Sequence, residues 1–134
     1  MKTNKLNELK ITDLMVGDWV YMTSGLLKTE LTQIIPYHFV GDLLSFEAIP
    51  LTPEILKKNG FVNSYIDENL NKDSVYKYNH FYTGNSVIVD MESNKLIVKY
   101  ENNIWMNLPY NRTIYVHELQ HVLKHCDIKK EIII

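Results

Sequence analysis

Turn residues cut the apolar runs of this chain so often that few folds remain open to it. Gly17-Asp18, Ser24-Gly25, Pro36, Pro50, Gly60, Gly84-Asn85 and Pro109 leave mainly segments of strand length. Proline removes a ladder donor, and glycine admits left-handed backbone. One later segment keeps a helical period. Placed at about 100° per residue, Tyr115, Val116, Leu119, Val122, Leu123 and Cys126 fall in one continuous arc. Short strands followed by an amphipathic helix predict an α+β fold.

The strands can be placed one by one. Trp19 to Met22 favours extended backbone after the Gly17-Asp18 turn, LLKTELTQII reads as a second strand, and VGDLLSFEAIPL gives a third ending near Pro50. Together they predict a curled N-terminal antiparallel sheet of SH3-like type. TPEILKKNG predicts a short helix over residues 53–59. Thr52 is the cap, Pro53 takes the first helical position, Glu54 sits at the positive end of the dipole and Gly60 ends the helix. Residues 61–73 read as an Asn-rich loop, followed by the alternating stretch VYKYNHFYT. A central hairpin is expected over 86–100, turning at Glu92-Ser93-Asn94. WMNLPYN then leads to a C-terminal helix over 114–126, and IKKEIII reads as an extended segment whose unpaired edge would invite self-association. The expected core comprises Leu14, Val20, Ile35, Leu56, Phe61, Val89, Ile97, Leu119, Leu123 and Cys126.

Size and charge narrow the function. A chain of 134 residues is expected to form a single domain over 1–134, and its 46% apolar content argues against disorder. The net charge of −2, with Arg112 the sole arginine, is poor material for a phosphate-binding surface, so nucleic acid is an unlikely partner. The lone cysteine, Cys126, excludes an internal disulfide and fits a reducing compartment. MKTNKLNELK has no apolar run of signal-peptide type, and no window reaches the ~20 apolar residues of a membrane span. A cytoplasmic protein with no membrane partner is expected. Asn111-Arg112-Thr113 is then a chance glycosylation match.

HELQH, residues 117–121, is the one stretch with a definite chemistry. In a zincin helix, His117 and His121 would hold zinc and Glu118 would activate the bound water. Chance alone, however, yields the motif in roughly one chain in a hundred of this composition. The three histidines 117, 121 and 125 also lie opposite the apolar arc, so a helix docked by its apolar side would leave them facing water. A catalytic zinc needs a third ligand. His125 is about 12 Å along the helix from His117, too far to share an ion. His38, His80 and Asp90 are upstream donors without a signature of their own. We therefore expect no catalytic residue and no metal ligand here, with zinc, Glu118, His117 and His121 as the alternative.

Tyr76, Tyr78, His80 and Tyr82 share one strand face and form the candidate binding surface, for another protein or, as a second alternative, for a peptide or single-stranded nucleic acid. Tyrosines in such a pattern also commonly pack under a helix. Cys126, on the apolar arc, reads as a small buried hydrophobe.

Three landmarks in chain order, DLMVGDWVYM, AIPLTPEILKKNGF and IYVHELQHVLKH with a closing I-x-K-E-I, resemble a family of small proteins of unknown function from gut bacteria and their phages. The resemblance covers Leu14 to Ile132, with a variable middle. Its pattern matches Val116, His117, Leu119 and Gln120, has asparagine where His121 stands and has no histidine at position 125. The resemblance therefore implies that His117 and Gln120 are a structural polar pair and that the second histidine of the motif is a local coincidence. It implies a phage or mobile-element context and no particular activity. The expected role is a non-enzymatic accessory or protein-binding one, without cofactor. The partner would be another protein or a second copy of the chain.

Overall fold

The computed structural model describes residues 8–9, 13–24, 29–34, 44–63, 74–80, 83–100 and 103–134. The fold is α+β, with a four-stranded and a five-stranded antiparallel sheet and two helices among these residues. The chain groups into two compact units, Met1–Pro50 with Tyr115–His121, and Leu51–Ile114 with Val122–Ile134. Neither unit is a continuous stretch, so no linker composition marks a boundary between them.

In the first unit, β1 (Glu8–Leu9), β2 (Trp19–Ser24), β3 (Thr29–Gln33) and β4 (Leu44–Ala48) pair in the order β1-β4-β2-β3. This is a linear sheet; no pairing among the described residues closes it into the barrel that an SH3-like form requires. Val20 lies opposite Thr32 on one side and Ala48 on the other. Alternation along β2 turns Val20 and Met22 toward a core of Leu14, Ile34 and Phe46, and it leaves Tyr21 exposed. The turn before β2 is tied to the end of β3: Gly17 donates its N–H to Ile34 O, and Ile34 donates to Asp18 O, both at 2.8 Å. Gly17 has φ +97°, a backbone conformation that a side chain would strain. Ile35, expected in the core, lies outside the described residues.

In the second unit, α1 (Pro53–Lys58) has the start and stop expected of it. Thr52 Oγ1 accepts from Ile55 N at 3.2 Å. At the other end Gly60 N donates to Lys57 O and Phe61 N to Leu56 O, with Gly60 at φ +87°. These paired bonds satisfy carbonyls that the end of the helix would otherwise leave open.

A meander follows, built from β5 (Val62–Asn63), β6 (Val75–Asn79), β7 (Asn85–Asp90), β8 (Lys95–Tyr100) and β9 (Asn103–Pro109), each strand paired with the next. β7 is central, and Val87, Ile88 and Val89 are all buried. The hairpin expected over 86–100 is therefore present, and its turn is held by Asp90 Oδ1, which accepts from Glu92 N and Ser93 N. Ile97, expected in the core, is only half-buried; β8 turns Leu96 and Val98 inward instead. β9 was not expected. Its register against β8 jumps from Val98↔Met106 to Lys99↔Ile104, leaving Trp105 as the extra residue of a bulge.

α2 (Val116–His125) matches the predicted C-terminal helix. It ends in the same bond pattern as α1, with Asp127 at φ +58° in the position that Gly60 takes in α1. IKKEIII is not a strand. Ile128 and Ile132 are buried, and the side chain of Asn59 grips Ile133. The edge-pairing surface expected of that segment is therefore absent.

Candidate functional site

The HELQH helix turn lies within the first unit. Val116 N donates to Ile49 O at 2.8 Å and Tyr115 forms a bridge with Pro50, which ties the start of the helix to the end of β4. Tyr115 stands just before the helix, so Glu118 is its third residue. Glu118 Oε1 accepts from Tyr115 N at 2.8 Å. A glutamate reaching back to the capping residue satisfies an N–H that the first turn leaves without an intrahelical acceptor, and its negative charge suits the positive end of the helix. The carboxylate that a hydrolase would use on water here serves the backbone of its own helix.

Gln120 faces the turn that precedes β2. Its Oε1 accepts from Trp19 N and its Nε2 donates to Gly17 O, both at 2.8 Å. One planar amide therefore brackets Asp18 from both sides, supplying an acceptor and a donor where the turn offers their complements.

Asp18 is the residue that sequence reasoning missed. Read from the chain it is a turn residue; in the structure it is buried, at 1% exposure. Its Oδ2 accepts from Met15 N at 2.8 Å and lies 2.6 Å from His121 Nε2. With the carboxylate ionised, the imidazole nitrogen is the donor, whether the ring is neutral or protonated. The nitrogen that a zincin-type site would turn to zinc is thus directed at a carboxylate. Only the i+1 relation to Gly17 hints at this role, since a short acid after a turn glycine can bond back to local N–H groups.

The histidines are not arranged as the helical wheel implies. His117, expected to face water, is buried at 5% exposure. Its ring stacks near Tyr115 (centroids 6.0 Å apart, 14° between planes) and meets His121 edge-on at 5.4 Å. His121 is partly covered by Asp18, and His125 alone of the three is exposed. Gln120 and His121 on the polar side of the first helical turns meet the turn that precedes β2, a contact that periodicity within the helix cannot reveal.

Other candidates sit in the second unit. His80 Nδ1 is 2.8 Å from Thr83 Oγ1, and Asp90 holds the hairpin turn. Tyr76 is buried at 3% exposure and presents no face to a ligand. Tyr78 is half-buried, with Phe61 against it at 5.4 Å and Lys130 Nζ over its ring at 5.3 Å. Tyr82 and His38 fall outside the described residues. The stacking platform expected of Tyr76, Tyr78, His80 and Tyr82 is therefore not open at its first two tyrosines. Cys126 is buried as expected, and burial pushes its thiol up from the ordinary range, which disfavours a nucleophilic thiolate. Among the described residues no group of three or more His, Cys, Asp or Glu side chains is arranged to hold a metal ion, and no helix is long and apolar enough to cross a membrane. No family model, no curated protein and no solved structure matches the chain.

Proposed function

We propose that this chain is a cytoplasmic, non-enzymatic accessory protein that binds another protein, in the phage or mobile-element setting its landmarks suggest, and that it works without a resident metal. One observation carries the non-enzymatic reading: Glu118, Gln120 and His121 of HELQH each bond to a specific partner in the fold, namely Tyr115 N, the Gly17 and Trp19 backbone, and Asp18. A zinc peptidase would need Glu118 and His121 released from those bonds. The motif is better explained as a clasp between helix and turn.

The outer face of β2 and β3 is the surface that best suits a protein partner. Tyr21 and Leu31 are directly opposite each other across these strands, both on the face away from the core, at 39% and 44% exposure. Glu47 flanks Tyr21 on the other side. A tyrosine beside an aliphatic residue offers a large contact area at low entropic cost, and an adjacent acid favours a partner segment that is apolar with a basic side chain. The expected tyrosine strand is a weaker surface because Tyr76 is buried and Tyr78 is already packed.

The reading is tested by capture from source-cell extract with wild type, the double variant Tyr21→Ser/Leu31→Ser, and Val62→Ser as an exposed apolar control in the other unit. A protein held by wild type and the control but lost by the double variant is expected. An identical set for all three would overturn the proposed surface. Elemental analysis of wild type and His121→Asn addresses the enzymatic alternative. One tightly held zinc per chain, lost in His121→Asn and accompanied by peptide hydrolysis that Glu118→Gln abolishes, would establish a metallopeptidase instead.

A further inference from the structure

Asn59 and Gly60 form the dipeptide in which an asparagine side chain is most open to attack by the next backbone nitrogen, because glycine puts no side chain in the way. In this chain both reacting groups are held. Asn59 is buried at 2% exposure. Its Nδ2 donates to Ile55 O at 2.8 Å and to Ile133 O at 2.7 Å, and its Oδ1 accepts from Ile133 N at 2.7 Å. The nucleophile, Gly60 N, donates to Lys57 O at 3.2 Å. Lys58 Nζ adds a bond to Ile134 O at 2.9 Å. All of these residues belong to the second unit.

We propose that Asn59-Gly60 is a latent deamidation site that the segment around Ile133 keeps closed, and that its conversion releases that segment. The chemistry requires only water. Gly60 N loses its proton to solvent base and attacks Asn59 Cγ, the Cγ–Nδ2 bond breaks, and ammonia leaves with a proton from water. The cyclic imide then adds one water at either carbonyl, giving aspartate or isoaspartate. None of this can start while Cγ is fixed by three bonds to its amide and Gly60 N points at Lys57 O. Reaction therefore proceeds from a locally opened state whose population the Ile133 contacts set. The product cannot restore the clasp. An aspartate at 59 has no donor for the Ile55 and Ile133 carbonyls and puts negative charge against both. The step is therefore one-way in structural terms: the segment that protected the asparagine is repelled by its product.

The test follows isoaspartate and aspartate at position 59 by peptide mass mapping during incubation at mildly alkaline pH. Three samples are compared: folded wild type, wild type unfolded in urea, and Ile133→Pro, which deletes the N–H donated to Asn59 Oδ1. Conversion should be slowest in folded wild type, fastest in urea, and raised roughly fivefold in folded Ile133→Pro, the shift in opening expected from losing one net hydrogen bond. Equal rates in folded and unfolded wild type, or no rise in Ile133→Pro, would overturn the protective role. If Ile133→Pro loses its near-ultraviolet circular dichroism, Lys58→Ala replaces it, with the same requirement that the rate rise. Release is read separately from amide hydrogen exchange. Asn59→Asp should lose protection at Ile133 while the β7 and β8 amides keep theirs, and unchanged protection at Ile133 would refute the release step.

Discussion

His121 Nε2 and Asp18 Oδ2 lie 2.6 Å apart although 103 residues separate them in sequence, and the carboxylate end of this pair is buried. The bond closes the same clasp that Gln120 makes on either side of Asp18.

Breaking that pair should cost more than an exposed histidine would. Because Asp18 is buried, Asp18→Ala, which also strands Met15 N, is expected to lose about 2–3 kcal/mol of stability. His121→Asn keeps a donor near the carboxylate and should lose about 1 kcal/mol or less. Urea unfolding of both variants checks the order. Equal and negligible losses would mean that the contact does not persist in solution.

Gln120→Ala removes the side-chain acceptor of Trp19 N and one donor to Gly17 O, which keeps its bond from Gln33 Nε2 at 2.9 Å, so about 1–2 kcal/mol should be lost, the order of one or two net hydrogen bonds. Gln120→Glu is the sharper variant. It keeps the acceptor for Trp19 but sets an oxygen against the Gly17 carbonyl, so it should be no better than alanine. A glutamate variant as stable as wild type would show that the amide donor contributes nothing.

Glu118 separates a capping role from a catalytic one. Glu118→Gln retains an acceptor for Tyr115 N and should stay within about 0.5 kcal/mol of wild type, whereas Glu118→Ala should lose about 1 kcal/mol. Thermal unfolding of the two variants is sufficient. A loss for glutamine as large as that for alanine would point to a charge-dependent role that an uncharged cap does not supply.

Asp127 occupies a left-handed position, φ +58°, at the end of α2. Asp127→Gly relieves that strain and should raise stability by up to about 1 kcal/mol, partly offset by the greater freedom of glycine in the unfolded chain. The midpoint of chemical unfolding is the measure, and a decrease would mean that the aspartate makes a compensating contact.

Cys126 imposes a pH dependence whose sign follows from its burial. Its thiol is pushed up in the folded chain, so the unfolded chain loses the proton first as pH rises. The stability associated with the neutral thiol is complete below the ordinary thiol range, about pH 8.5, and declines as pH climbs through that range toward the folded value. Unfolding of wild type and Cys126→Ala across mildly alkaline pH should therefore show a steeper decline for wild type. Parallel curves would contradict the shift.

Legibility followed the range of the interactions. Thr52, Pro53 and Gly60 act within one turn of chain, and they specify α1 nearly to the residue. The hairpin around Asn94 is equally local. β9 escaped because Asn103, Asn107 and Pro109 read as irregular; only its pairing with β8 makes the segment a strand. The same limit governs the site. Periodicity separated the apolar arc of α2 from its histidines, yet it could not reveal that His117 would be buried or that Asp18 would bond to His121. Ile97 shows a smaller version of the problem, since adjacent aliphatic residues in a strand look alike until register decides which one turns inward.

The bulge in β9 also bears on strand addition at the edge of its sheet. β9 is an outer strand of its sheet, the position from which one molecule would template the next. At Trp105 its ladder slips out of phase, and at Pro109 it lacks a donor. An incoming strand could match one end of β9 or the other but not its full length.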